Sequence, residues 1–358
     1  MQNTTKQSNI ELLRIVAMIM IVFHHFCYHG IFKYWNINST FLDYINNLIV
    51  SIFCCGGKLG VDIFVLITGY FMIKSSFKLK KFLNIYLTTL LYSILFLVIA
   101  FIFGNEKIPS WLVNSSLFPF GGNAYWFITT YLMLYLISPF LNHFIKTAPT
   151  NMLNSLLLIT TIFWVIIPTF TKGNYDFSNL LWFMYLYFVG AAIQTNNFGK
   201  IFNNYKLFKI LSIISILFWI GFAFIKCLKP NLNLYIICEQ CKLNSLYTLS
   251  IAVFLFQFFS KLQLSQNKFI NYMSSSVFGV YLFHDNNIVR PFLWKELLNV
   301  SSYMTSPYLI LIMIICCISI FIIGILLDKI IKFLFQKPIN IISDKIENLA
   351  LSYFHNIS

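Results

Sequence analysis

The first apolar stretch of the chain reads Asn9-Ile-Glu-Leu-Leu-Arg14-Ile-Val-Ala-Met-Ile-Met-Ile-Val-Phe-His24-His25-Phe-Cys-Tyr-His29, with a guanidinium and imidazoles set into hydrocarbon. Arg14 and His25 are eleven positions apart. At 100° per residue that is three turns plus about 20°, so both project from one helix face, with Cα atoms about 16 Å apart along the axis. The two cannot touch, so they would serve different parts of one site. Histidine titrates near neutral pH, which suits it to take up and return a proton. His24, about 80° off the Arg14 face, is the alternative base.

Of 25 basic residues only Arg14 and Arg290 are arginines. Lysine fills every position that merely needs positive charge, whereas bidentate anion binding needs the planar five-donor fork. Glu11, three residues before Arg14, lies on the same side and can pair with it; the alternative for Arg14 is a charge snorkelling to the interface beside Glu11. Charged side chains at membrane depth cost at least about 2.5–3.5 kcal/mol each and normally face a bundle interior or wet cavity. A second ionisable cluster, His284, Asp285 and Arg290, closes a later apolar run. It fits either acceptor binding or a simple Asp285–Arg290 salt bridge. Trp126 and Tyr131 have the character of sugar-stacking or pocket residues, and equally of an interfacial aromatic belt.

The elements that must position these residues are membrane helices. Hydrophobic residues make up 59% of 358 positions and charged ones 10%, too apolar for a soluble surface. A span needs roughly 20 apolar residues, and ten stretches qualify: 10–30, 51–73, 82–104, 124–145, 152–171, 177–195, 207–226, 244–262, 272–290 and 306–335. The expected fold is an all-α polytopic bundle of about ten transmembrane helices over residues 1–337, followed by a cytoplasmic tail, 338–358. Fifteen lysines fall on the N-terminal side of that topology and eight on the other, placing both termini in the cytoplasm. The first run lacks a small-x-small cleavage site and stays as the first span.

The net charge of +14 is spread in small groups between apolar runs, so no nucleic-acid-binding domain exists to carry it. Cys27, Cys54, Cys55, Cys316 and Cys317 lie in or beside apolar runs as small hydrophobes. Cys238 and Cys241 have Cys-x-x-Cys spacing without two further nearby ligands, so no metal site is expected.

Arg14, ten residues, then His25, preceded by Ile-Glu-Leu-Leu and followed by Gly60-Val-Asp-Ile-Phe-Val-Leu-Ile-Thr-Gly-Tyr70, resembles the opening of membrane acyltransferase family 3. Tyr125-Trp126-Phe127-Ile128 and Gly279-Val-Tyr-Leu-Phe-His284 continue the likeness in order. Thr68-Gly69-Tyr70 stands where the family often has Ser-Gly-Phe, and Lys78, Lys80 and Lys81 stand where many members carry Arg-x-x-Arg. The hydrolase-like domain fused to some members is absent.

The resemblance implies transfer of an acetyl group, or a longer acyl such as succinyl, from cytoplasmic acyl-coenzyme A to a hydroxyl of a cell-surface polysaccharide or its lipid-linked precursor. No permanently bound cofactor is implied. His25, or His24, would be base or acyl relay, with Asp62 orienting it as a carboxylate does in triads. Arg14 would bind the donor at the cytoplasmic mouth, and Lys78, Lys80 and Lys81 would attract its phosphates or serve only as topology signals. His284 and Arg290, with Trp126 and Tyr131, would meet the acceptor. The implied location is the plasma membrane, and the Lys, Asn, Ile and Phe bias suggests a bacterial, AT-rich genome. A glycan or lipid-intermediate transporter is the rival reading, since buried charges in ten spans also describe transporters.

Overall fold

The computed structural model describes residues 7–31, 40–104, 107–120, 124–171, 178–228 and 242–355, and these contain helices and connections but no strand. The helices are α1 (Ser8–His25), α2 (Phe41–Cys54), α3 (Gly56–Met72), α4 (Leu79–Phe103), α5 (Ser110–Leu117), α6 (Trp126–Thr147), α7 (Thr150–Thr161), α8 (Ile167–Thr171), α9 (Asn179–Thr195), α10 (Tyr205–Leu228), α11 (Leu246–Lys261), α12 (Lys268–Ser274), α13 (Val277–His284) and α14 (Leu309–His355). With no water in a bilayer core to satisfy backbone groups, spanning segments must bond internally, and here they do so as helices.

Among the described residues seven segments are long and apolar enough to cross a membrane, fewer than the ten stretches read from hydropathy. The difference has local causes. α9 and α11 are apolar but short, and the run 272–290 is broken between α12 and α13 and again before Val289–Pro291, which leads into a π-helical segment Phe292–Leu297. The break falls at the run Ser274-Ser275-Ser276, where the Ser275 hydroxyl donates to the carbonyl of Tyr272 at 2.7 Å. α14 supplies the missing partners: Lys329 Nζ donates to the carbonyl of Tyr272 at 3.1 Å and to Ser275 Oγ at 2.7 Å, and Lys332 Nζ donates to the carbonyl of Ser275 at 2.6 Å. Lys332 also pairs with Asp328 at 2.7 Å, a carboxylate that is 1% exposed and accepts from Tyr92 Oη at 2.9 Å.

α14 runs without interruption through Pro338, so the fold has no break at the expected start of the tail. Its far end packs on the start of α4, where Ser343 Oγ donates to Asn84 Oδ1 at 2.6 Å. The central crossing is α1 on α3 and α3 on α9. Gly69, the glycine of Thr68-Gly69-Tyr70, faces the backbone of Tyr187 so closely that no side chain fits between the two helices; small residues are what allow membrane helices this approach. Cys27, Cys54, Cys316 and Cys317 are free thiols, as the apolar surroundings lead one to expect. Cys55 corrects that expectation, being disulfide-bonded, a pairing that spacing along the chain does not reveal. Cys238 and Cys241 lie outside the described residues.

Candidate active site

α1, α3, α6 and the α12–α13 pair enclose a cavity of about 460 Å³. Glu11, Arg14 and Ser274 stand at one end, and His24, His25, Lys58, Trp126 and Asp285 at the other. Because α1 is an unbroken helix from Ser8 to His25, its 3.6-residue period holds over the whole interval and both Arg14 and His25 line the same cavity, as the spacing predicts.

At the first end Arg14 Nε lies 3.7 Å from Glu11 Oε1, the expected i,i+3 pair. That is too long for a hydrogen bond, and Arg14 Nε is buried with no hydrogen-bond partner among the described residues. Glu11 is also held by the hydroxyl of Ser274, from the C-terminus of α12. The guanidinium therefore sits beside a carboxylate already engaged elsewhere, with directional capacity left for an anion entering the cavity.

At the other end the helix changes pitch. Beyond His25 the backbone widens into a π-turn, Phe26–Ile31, a device frequent at functional sites. It keeps the side chains of His24, His25, Tyr28 and His29 together: the His25 and His29 ring centroids are 5.1 Å apart, and His24 stacks on Tyr28 at 5.5 Å. His25 Nδ1 lies 3.7 Å from Asp285 Oδ1, and its ring is 5.0 Å from that of His284. His284 and Asp285 arrive from the end of α13, so the broken helix delivers the second ionisable cluster to the first. His284 is fully buried, and its Nδ1 contacts the carbonyl of Val280 at 2.6 Å. A carbonyl only accepts, so Nδ1 carries the proton and Nε2 keeps a lone pair.

His24 is turned differently. Its Nδ1 contacts the carbonyl of Cys54, and its side chain lies against Gly57, where a Cβ would collide with it. His25, by contrast, has no hydrogen bond to Nδ1 among the described residues. Of the two, His25 is the one with a ring nitrogen still uncommitted beside a carboxylate.

The other expected residues divide. Trp126 and Tyr131 line the cavity, with Lys58 Nζ 5.7 Å from the Trp126 ring. Asp62 is fully buried and accepts from Trp182 Nε1 at 2.9 Å; among the described residues the carboxylate within 4 Å of His25 is Asp285. Arg290 forms the salt bridge with Asp285, at 3.2 Å, and also donates to Asn287 Oδ1 at 3.0 Å. Lys80 is ion-paired with Asp344 of α14 at 2.5 Å, Lys81 Nζ lies 5.3 Å from the ring of Tyr135, and the Lys78 backbone bonds to the Tyr135 hydroxyl at 3.1 Å. None of these three lysines lines the cavity. Lys58 does, although by sequence it reads only as a loop charge; its signal was its place three residues after Cys55 and four before Asp62 on an otherwise apolar helix.

A family model described as an acyltransferase domain matches residues 7–328. No curated protein and no solved structure shows a significant match.

Proposed function

The chain belongs to membrane acyltransferase family 3 and is an acyltransferase built from apolar helices, and on that premise we propose that it moves an acetyl group from cytoplasmic acyl-coenzyme A to a hydroxyl of a cell-surface polysaccharide or its lipid-linked precursor. The observation that carries this reading is the single cavity with an arginine at one end and a histidine–carboxylate pair at the other. Three turns of helix separate them, a distance suited to an extended pantetheine arm and too long for direct contact.

Arg14 holds a donor phosphate or pantetheine carbonyl by charge-assisted bonds. The thioester then lies near His25. The His25 imidazole takes the proton of the acceptor hydroxyl while its oxygen attacks the thioester carbonyl; the tetrahedral intermediate collapses with cleavage of the C–S bond, and the imidazolium returns the proton to the leaving thiolate. Asp285, 3.7 Å away, stabilises the imidazolium by its charge, the part assigned from sequence to Asp62. Lys58 faces the end of the cavity where negative charge develops on the carbonyl oxygen. Trp126 and Tyr131 offer aromatic surface to a sugar or to the donor arm. The lysine distribution supports cytoplasmic termini, and with that orientation Arg14 opens toward the compartment that holds acyl-coenzyme A.

The test is surface glycan acetylation in cells carrying His25→Ala or Arg14→Ala, each checked for membrane insertion and level. Both should abolish glycan O-acetyl signals in NMR spectra. Wild-type O-acetyl content with His25→Ala refutes the assignment of His25 to the transfer step, and labelled acetyl-coenzyme A left untouched by the purified wild-type protein refutes the donor.

A further inference from the structure

The cluster at the His25 end holds more ligating atoms than proton transfer uses. His25, His29 and Asp285 each present one ligand atom, all within 4.8 Å of one another. Independently, His284 is fully buried, its Nδ1 proton is committed to Val280, and its Nε2 has no partner among the described residues. That free lone pair belongs to a ring 5.0 Å from the ring of His25. Buried polar atoms without partners are costly and call for an explanation such as a bound ion. Imidazoles with a carboxylate are the donor set of borderline divalent metals, and calcium or magnesium would need an oxygen shell that is not here.

We propose that His25, His29 and Asp285, with His284 as the fourth donor, form a Zn²⁺ site whose occupancy switches off acyl transfer. The inhibitory half rests on the reading of His25 as the base, because a metal bound to its ring nitrogen occupies the lone pair that would accept the proton. The metal-binding half does not. Tetrahedral bonds of about 2.0–2.1 Å place ligand atoms roughly 3.3 Å apart, so the side chains draw in slightly on binding. Arg290, 3.2 Å from Asp285 Oδ1, opposes an incoming cation. It sets the affinity low, so the site fills only when free zinc rises. No motif announces this site, because its ligands come from the end of α1 and the end of α13.

The experiment uses the full chain purified in detergent after chelator treatment. Co²⁺ titration should give tetrahedral d–d bands, and Zn²⁺ calorimetry one ion per chain. His29→Gln and His284→Gln should each weaken binding roughly tenfold or more, and Arg290→Gln should tighten it. In the acyl-transfer assay Zn²⁺ should inhibit the wild type reversibly, while His29→Gln stays active and loses the inhibition. Absence of stoichiometric binding, or binding indifferent to His29 and His284, overturns the site whatever the activity does. Binding at the cluster without inhibition overturns the switch. If His25→Ala weakens metal binding yet keeps acyl transfer, the base assignment fails and the metal site stands.

Discussion

Replacing Asp285 by Asn tests the catalytic geometry most directly. The carboxylate Oδ1 lies 3.7 Å from His25 Nδ1, with both side chains largely buried. At an effective dielectric constant of about 20, a charge pair at that distance interacts by about 4.5 kcal/mol. This is the gross stabilisation an imidazolium at His25 draws from Asp285 during transfer, and it is a ceiling, because Arg290 shares the same oxygen at 3.2 Å. Each 1.36 kcal/mol is a factor of ten in rate, so the ceiling corresponds to about three orders of magnitude. The variant keeps the shape of the side chain and leaves Arg290 without its anion beside the reacting imidazole. We expect kcat for transfer of labelled acetyl groups to fall about 10²–10³-fold with KM for the donor little changed, since the proposed donor site lies at the Arg14 end. Adding Arg290→Gln should recover part of the loss by removing the stranded cation. Activity of Asp285→Asn within threefold of wild type would refute the pairing of this carboxylate with His25.

Two further outcomes follow from the packing. Lys332→Met strips Asp328 of its cation and the broken helix of a carbonyl cap, and should destabilise the folded protein by about 3–5 kcal/mol, read as a lower thermal unfolding midpoint in detergent; Lys332→Met combined with Asp328→Asn should recover part of that. Gly57→Val places a branched side chain where the His24 ring lies. It should cost about 1–3 kcal/mol by overpacking and lower kcat through displacement of the neighbouring His25, whereas the same change at Gly221, which faces open space, should leave transfer activity intact.

What sequence reveals here depends on how local the cause is. The apolar runs announce membrane helices because a bilayer demands about 20 residues of hydrocarbon from each span. The shared face of Arg14 and His25 is legible because α1 keeps its period throughout. The convergence of His284 and Asp285 on His25 is not, since it depends on how α13 docks against α1. Hydropathy averaging also hides the break at Ser274-Ser275-Ser276, where three hydroxyls in a row are the visible sign. Asp62 was the natural orienting carboxylate in the family-like segment, yet its surroundings supply Trp182 instead. Lys80 carries the right charge for a phosphate but is paired with Asp344, more than two hundred residues along the chain.

The apolar stretch of the cavity wall between Arg14 and His25 has a consequence for the membrane itself. Between Arg14 and His25 the α1 wall is Met18 and Ile21, and between Lys58 and Thr68 the α3 wall is Val61 and Phe64. On these two walls the ionisable groups lie at the ends and the side chains between them are apolar. A cell that stores work as an ion gradient cannot tolerate a wet pore through its insulating layer, and an apolar constriction resists hydration and the passage of small ions. A slender uncharged arm can still thread the same gap. On the proposed function, such a wall would let an acyl group pass from one end of the cavity to the other while the layer around it stays electrically sealed.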